Sequence, residues 1–283
     1  MKKLVKYISL CAVLGSGCSE EFFEGKGKKG EIDQESFYKS EKGLNEATRA
    51  AYQPLARVFR MDNANMIFES IASDDAEAGG QNLTDQPAIQ DIDKFTFNPA
   101  NEFFKTLWAY NYKGIYLSNL VIANAQQYIN DVGPNQDSPV YNYLGEAYFL
   151  RGLYYFRLNK FFGGVPLLDE SALNNINDYY TVKRSTIAET FRFIKSDLHK
   201  AQNLMLAKAN IDGYDLGRAT KEAAWGFLSK VYLYESSYAK NYAGDERFLG
   251  CEQHYDSVCF FRRKGNSIAH KLLRRTKRRD LHN

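Results

Sequence analysis

The clearest pattern of apolar and polar positions runs from Val140 to Phe162. Leu144, Ala147, Tyr148, Arg151, Tyr154, Tyr155, Leu158, Phe161 and Phe162 recur there at helical spacing and share one face. Gly163 and Gly164 supply a helix end, and Pro166 forbids its continuation. The face is aromatic and carries one cation. An arginine on an apolar face is buried on packing and needs a carboxylate or carbonyl partner, so Arg151 is read as structural.

Similar stripes predict further helices. Leu44, Ala47, Ala51, Leu55 and Val58 place one over about Glu41–Phe59, with Ser40 as its cap. Phe104, Trp108, Tyr112, Ile115, Asn119 and Ile122 place a long one over Glu102–Ile129, and Asn119 would be a buried amide that needs partners. Trp108, Tyr112, Tyr154 and Tyr155 are therefore expected in the core. Thr186 and Glu189 read as a capping box ahead of Ile187, Phe191, Ile194, Leu198, Ala201 and Met205. Thr220 caps a last helix that turns Ala224, Phe227, Leu228, Val231 and Tyr232 inward. The segment from Ser73 to Asn101 shows no strong period and reads as mostly loop.

A faint repeat relates two of these helices. Ala147, Leu150, Tyr154 and Tyr155 superpose on Ala224, Phe227, Val231 and Tyr232, with the Thr186 helix between them. That order matches a tetratricopeptide-like array. The fold class expected is all-α, a tetratricopeptide-like helical repeat scaffold with long irregular loops.

Composition adds one unusual figure, 20 Tyr and 19 Phe beside 2 Trp. Tyrosine suits both helix packing and wet binding surfaces, so the figure alone does not choose between core and site. The net charge of +3 conceals a contrast, since nine Lys and Arg lie between Arg262 and Arg279. Without that tail and the leader lysines the chain is acidic, which argues against a nucleic-acid partner. The change of composition after about residue 245 predicts either non-native sequence, as a frameshift or misplaced gene boundary gives, or a disordered basic tail. Cys11, Cys18, Cys251 and Cys259 form no disulfide framework.

The N-terminus reads as a secretion leader: Lys2, Lys3 and Lys6 precede a short apolar run from Ile8 to Leu14, too short to span a bilayer. Gly15-Ser16-Gly17-Cys18 resembles a lipobox, although Leu14 stands one place further out than usual. The resemblance implies cleavage before Cys18 and its lipidation. Glu20 and Glu21 resemble the surface-export signal of Bacteroidetes lipoproteins. Gly25 to Gly30 form a flexible tether. The organisation expected is a leader over 1–17, a lipidated tether over 18–35, a helical domain over 36–245 and an atypical basic tail over 246–283.

Several motifs in order resemble the SusD/RagB outer-membrane nutrient-binding lipoproteins. They are Ser36-Phe37-Tyr38 with Ala50-Ala51-Tyr52; Trp108, Tyr112, Ile115, Asn119 and Ile122; Glu146-Ala147, Leu150-Arg151, Tyr154-Tyr155 and Gly163 to Leu167; Ile194, Asp197-Leu198 and Ala201; and Gly217 to Lys221 with Tyr232-Leu233-Tyr234. They cover roughly Cys18 to Tyr242, and the family continues well beyond that point. The resemblance implies a noncatalytic lipoprotein, anchored in the outer membrane and facing outward. It would capture an oligosaccharide, starch-like or other, or sometimes a peptide, for an adjacent TonB-dependent, SusC-like transporter.

The residues themselves show no G-x-S-x-G, H-E-x-x-H or P-loop, and the spacing of Cys251, His254, Cys259 and His270 matches no common zinc site. No cofactor or metal is expected. His199, late in its helix, is expected as a solvated or C-terminal charge. Sugar recognition needs aromatic faces with amides and carboxylates, usually on loops over a rigid scaffold. The loop before Trp108 has those types: Asp74, Asp75, Gln81, Asn82, Phe97, Asn98 and Asn101 are the candidate ligand residues, beside Asp85 and Phe95. Two alternatives stay open, a helical-repeat interaction scaffold without its own ligand and, less favoured, a surface glycoside hydrolase.

Overall fold

The computed structural model describes residues 34–60, 67–82, 84–135, 137–175 and 177–264. The leader, Cys18, the tether to residue 33 and the tail beyond residue 264 lie outside the described residues, as do the expectations that fall on them. Among the described residues there are helices and no strand. The helices are α1 (Gln34–Tyr38), α2 (Glu41–Arg60), α3 (Pro87–Asp93), α4 (Glu102–Val132), α5 (Val140–Phe162), α6 (Asp178–Thr181), α7 (Ile187–Leu204), α8 (Lys221–Asn241) and α9 (residues 255–264).

The predicted caps are in place. The Ser40 hydroxyl accepts from Gly43 N at 3.0 Å, Thr186 and Glu189 form the capping box, and Thr220 accepts from Ala223 N. Each satisfies backbone amides that the first helical turn leaves orphaned. The segment 73–101 is mostly loop, as expected, and holds one short helix, α3. Pro87 opens that helix, where its fixed φ is helical and its missing N–H costs nothing. The helix is too short to show a period.

Each long helix packs on the next, α2 on α4, α4 on α5, α5 on α7 and α7 on α8, and α2 also reaches α5. This is the stacking of a tetratricopeptide-like array. Helix α5 lies in the middle of the stack, so its burial exceeds one stripe. Every residue from Asn142 to Gly152 is buried. Burying a large aliphatic side chain such as Leu150 or Leu158 contributes about 1.5–3 kcal/mol. The helices approach closely where the sequence supplies glycine. A Cβ at Gly114 would lie 2.3 Å from the Tyr154 ring, so α4 and α5 meet there only because Gly114 has none. The Tyr154 hydroxyl continues through the contact and donates to Ala51 O of α2 at 2.7 Å.

Two buried ion clusters tie the stack together. Arg151 forks onto Asp197 of α7, Nε to Oδ2 at 2.7 Å and a terminal nitrogen to Oδ1 at 2.8 Å. Its other terminal nitrogen reaches Asn119 Oδ1 at 2.7 Å and Glu170 at 2.6 Å. Burial alone would push the guanidinium pKa down, but the Asp197 and Glu170 carboxylates outweigh it and the net shift is up. Asn119 has the partners its position demands, since its amide donates to Leu168 O and Asp169 O at 3.1 and 3.0 Å. The second cluster centres on buried Glu146. It accepts from Arg218 Nε at 2.9 Å, Tyr52 at 2.7 Å and Asn142 at 2.6 Å, which joins α2, α5 and the segment before α8.

One expectation changes. His199 is half-buried and hydrogen-bonds Tyr232 and Gln202, so it packs between α7 and α8 and does not stand in solvent; burial, with Lys195 nearby, lowers its pKa. The described part of the tail, up to residue 264, lies against α8. Phe261 is buried and stacks on Tyr232 at 5.8 Å, while His254 reaches buried Glu235 at 3.1 Å.

Candidate functional site

Neighbouring long helices run antiparallel. Gln126, late in α4, meets Tyr148, early in α5, and Trp108, early in α4, meets Phe162 at the end of α5. Gly163 then lies beside Ile187 at the start of α7. Phe191 of α7 in turn faces Tyr238 of α8. The segment before α4, the turn after α5, the start of α7 and the segment after α8 thus gather at one end of the stack. The turn is held by tyrosines. Tyr112 donates to Pro166 O at 2.8 Å, and the Tyr155 hydroxyl bridges the carbonyl and N–H of Leu168 at 3.0 and 2.6 Å. Gly164 is required there, since a Cβ would lie 1.9 Å from Ser185 O.

The sequence-predicted residues divide between two arms of the loop. Asp74, Asp75, Gln81 and Asn82 precede α3, and their side chains are exposed. The Asn82 carbonyl oxygen folds its own turn, accepting from Thr84 N at 2.9 Å. Asp85 accepts from Gln81 N at 3.1 Å. After α3, Phe95 and Phe97 stand 6.4 Å apart and are 67% and 40% exposed. Phe95 holds φ 54, a backbone conformation uncommon for an aromatic residue. Asn98 closes a turn by accepting from Ala100 N at 2.8 Å. Asn101 is 8% exposed and caps α4: its carbonyl accepts from Phe103 N at 3.0 Å and its amide donates to Ala88 O at 2.8 Å. Both ends of that side chain act in the scaffold.

Phe97 does not stand alone. It packs edge-on against Phe104 at 4.9 Å, Phe104 meets Phe162 at 6.4 Å, Phe162 meets Trp108 at 5.2 Å, and Trp108 meets Tyr112 at 4.8 Å. A ribbon of rings therefore runs from the exposed pair into the core, with off-face geometries that ring quadrupoles favour. Phe162 also borders a cavity of 460 Å³ lined by Asn159, Arg184, Thr186, Tyr238 and Phe248. Asn159 is 2% exposed, and neither its amide nitrogen nor its oxygen has a partner among the described residues. Such an orphan costs on the order of 1–3 kcal/mol per atom. Sequence reasoning missed Asn159, Arg184 and Phe248. The available signal was an asparagine in the last turn before the Gly163 break, which places it at the loop-bearing end. The pairing of distant Arg184 and Phe248 with it had none.

Comparison with known proteins resolves the family. The sequence model described as "Starch-binding associating with outer membrane", one of the SusD-like set, matches residues 26–233. The chain belongs to the SusD-like family. A SusD-like protein of Bacteroides ovatus is 25% identical over 260 residues, 92% of this chain and 44% of that one. A SusD-like protein of Formosa agariphila is 26% identical over 208 residues, 73% of this chain and 37% of that one. Among solved structures, a laminarin-binding SusD-like protein aligns at TM-score 0.64 and 23% identity, covering 80% of this chain and 43% of that one. Surface glycan-binding protein A from Bacteroides fluxus aligns at TM-score 0.58 and 26% identity, covering 70% and 41%. This SusD-like chain thus spans less than half the length of those relatives.

Proposed function

We propose that the chain is the scaffold-bearing part of a noncatalytic surface protein that binds an oligosaccharide. It is held at the outer membrane by a lipid on Cys18, faces the exterior, and passes its ligand to a TonB-dependent, SusC-like transporter. Family membership supports the class. The names of the laminarin-binding and glycan-binding relatives support a glucan-like ligand. The observation that carries the reading is the exposed pair Phe95 and Phe97, held on a ribbon of rings at the loop-bearing end. Flat ring faces suit the C–H faces of sugars, and the exposed Asp74, Asp75, Gln81 and Asn82 on the neighbouring arm offer partners for hydroxyls.

Isothermal titration with laminarin- and starch-derived oligosaccharides tests it. Binding is expected, with Phe97→Ala weakening it by about tenfold or more, as loss of a central aromatic anchor does. A chain that is folded by circular dichroism and takes up no oligosaccharide sinks the reading and favours an interaction scaffold. Release of shortened sugars would instead make it a hydrolase.

A further inference from the structure

The cavity at the end of α5 combines three kinds of chemistry. Phe248 supplies a fixed ring, stacked on Tyr242 at 4.5 Å and edge-on to Tyr238 at 5.0 Å. Asn159 supplies a buried amide with both polar atoms unpartnered among the described residues. Cations supply the third: Lys160, Arg184 and Arg247 line the cavity against one carboxylate, Glu246. Lys160 is already paired with Glu69 and Arg247 with Asp245. Arg184 differs, donating to a carbonyl, Phe162 O at 3.2 Å, with no carboxylate partner among the described residues. Lys160 and Arg247 are thus neutralised locally, which leaves Arg184, among the described residues, as the lining cation available to an anion. The volume of 460 Å³ lies within the range of small-ligand sites, about 300–1,000 Å³.

We propose that this cavity is a second ligand subsite and that it takes a uronic acid unit. The guanidinium fork of Arg184 matches a planar carboxylate in geometry and charge. The Asn159 amide has a donor and an acceptor for sugar hydroxyls, and Phe248 faces the ring. Phe162, at the border of the cavity, meets Phe104 of the exposed ribbon with ring centroids 6.4 Å apart, so the subsite adjoins the ribbon that carries the exposed pair. The sugar in this assignment rests on the glycan-binding reading above; the charge rests on the cavity alone.

Isothermal titration of the full chain with D-glucuronic acid and galacturonate trisaccharide, beside glucose and laminaritriose, is the test. The acids are expected to bind and the binding to weaken with added salt. Arg184→Gln should weaken it by about tenfold or more, the effect of losing a charge-assisted hydrogen bond. Asn159→Leu should also weaken it while leaving the thermal midpoint level or higher, because the amide atoms it removes are unpaired; a purely structural Asn159 would not move affinity. Phe97→Ala should leave glucuronic acid binding unchanged. Failure of both acids to bind overturns the proposal, as does acid binding that survives Arg184→Gln and Asn159→Leu. Laminaritriose bound through Phe97 without any acid uptake would overturn this subsite and leave the glycan-binding reading standing. Acid uptake lost on Arg184→Gln without any neutral binding would do the reverse.

Discussion

The interior of the stack and its loop-bearing end use polar side chains in opposite ways. In the interior, Arg151 reaches Asp197 and Asn119, 46 and 32 residues away in sequence. At the loop end, Asn82 and Asn98 bond backbone two residues on, and Gln81 meets Asp85 four residues on. Interior partners are therefore set by the whole fold, and a change in one is felt by several helices. The turns at Asn82 and Asn98 are set by their own few residues, so exposed positions beside them can vary without disturbing the scaffold. A stack built this way keeps its architecture while its ligand chemistry changes.

The sharpest way to break this contrast is to remove one member of the interior cluster. Arg151→Leu strands the Asp197 carboxylate in the core and is expected to destabilise by about 3–5 kcal/mol; a denaturant midpoint close to wild type would sink the interior half of the comparison. Next in size is Gly114→Ala, whose new methyl collides with the Tyr154 ring and should cost about 1–3 kcal/mol by the same measurement. Adding Tyr154→Ala should make the pair of changes clearly non-additive. At the loop end, Phe95→Ser should shift stability by less than about 0.5 kcal/mol, as exposed substitutions do, while oligosaccharide binding falls. The smallest effect concerns protons. The folded-state pKa of His199 lies below its ordinary value of 6.5, so its contribution is present above that pH and is lost as pH falls through the folded value. The thermal midpoint should decline on acidification below about 6.5, and His199→Gln should flatten that decline.

The same contrast explains what the sequence disclosed. Helical periods and caps are local, so α4, α5, α7 and α8 were legible with their starts at Glu102, Val140, Ile187 and Lys221. The kind of partner Arg151 needs followed from its apolar surroundings, but the choice of Asp197 and Glu170 is made by packing that no spacing encodes. Asn101 was read as a loop amide although it stands just before a helix, where an asparagine caps. Phe261 shows the limit on the other side. Its segment has no sustained period, yet one buried ring and the His254–Glu235 pair dock it on α8. The cavity residues came from segments far apart in the chain, and nothing local marks them as neighbours.

The position of Arg151 also governs how the stack can come apart. Ordinary helical repeats open almost independently, each unit exchanging its amide protons at a rate set by itself and its immediate neighbours. Here detaching α7 alone would leave a guanidinium without Asp197 in an apolar surround, and detaching α4 would take Asn119 away from it. Both openings are penalised by a charge that belongs to α5. Helices α4, α5 and α7 are thereby welded into one cooperative unit. Slow hydrogen exchange should extend evenly across all three.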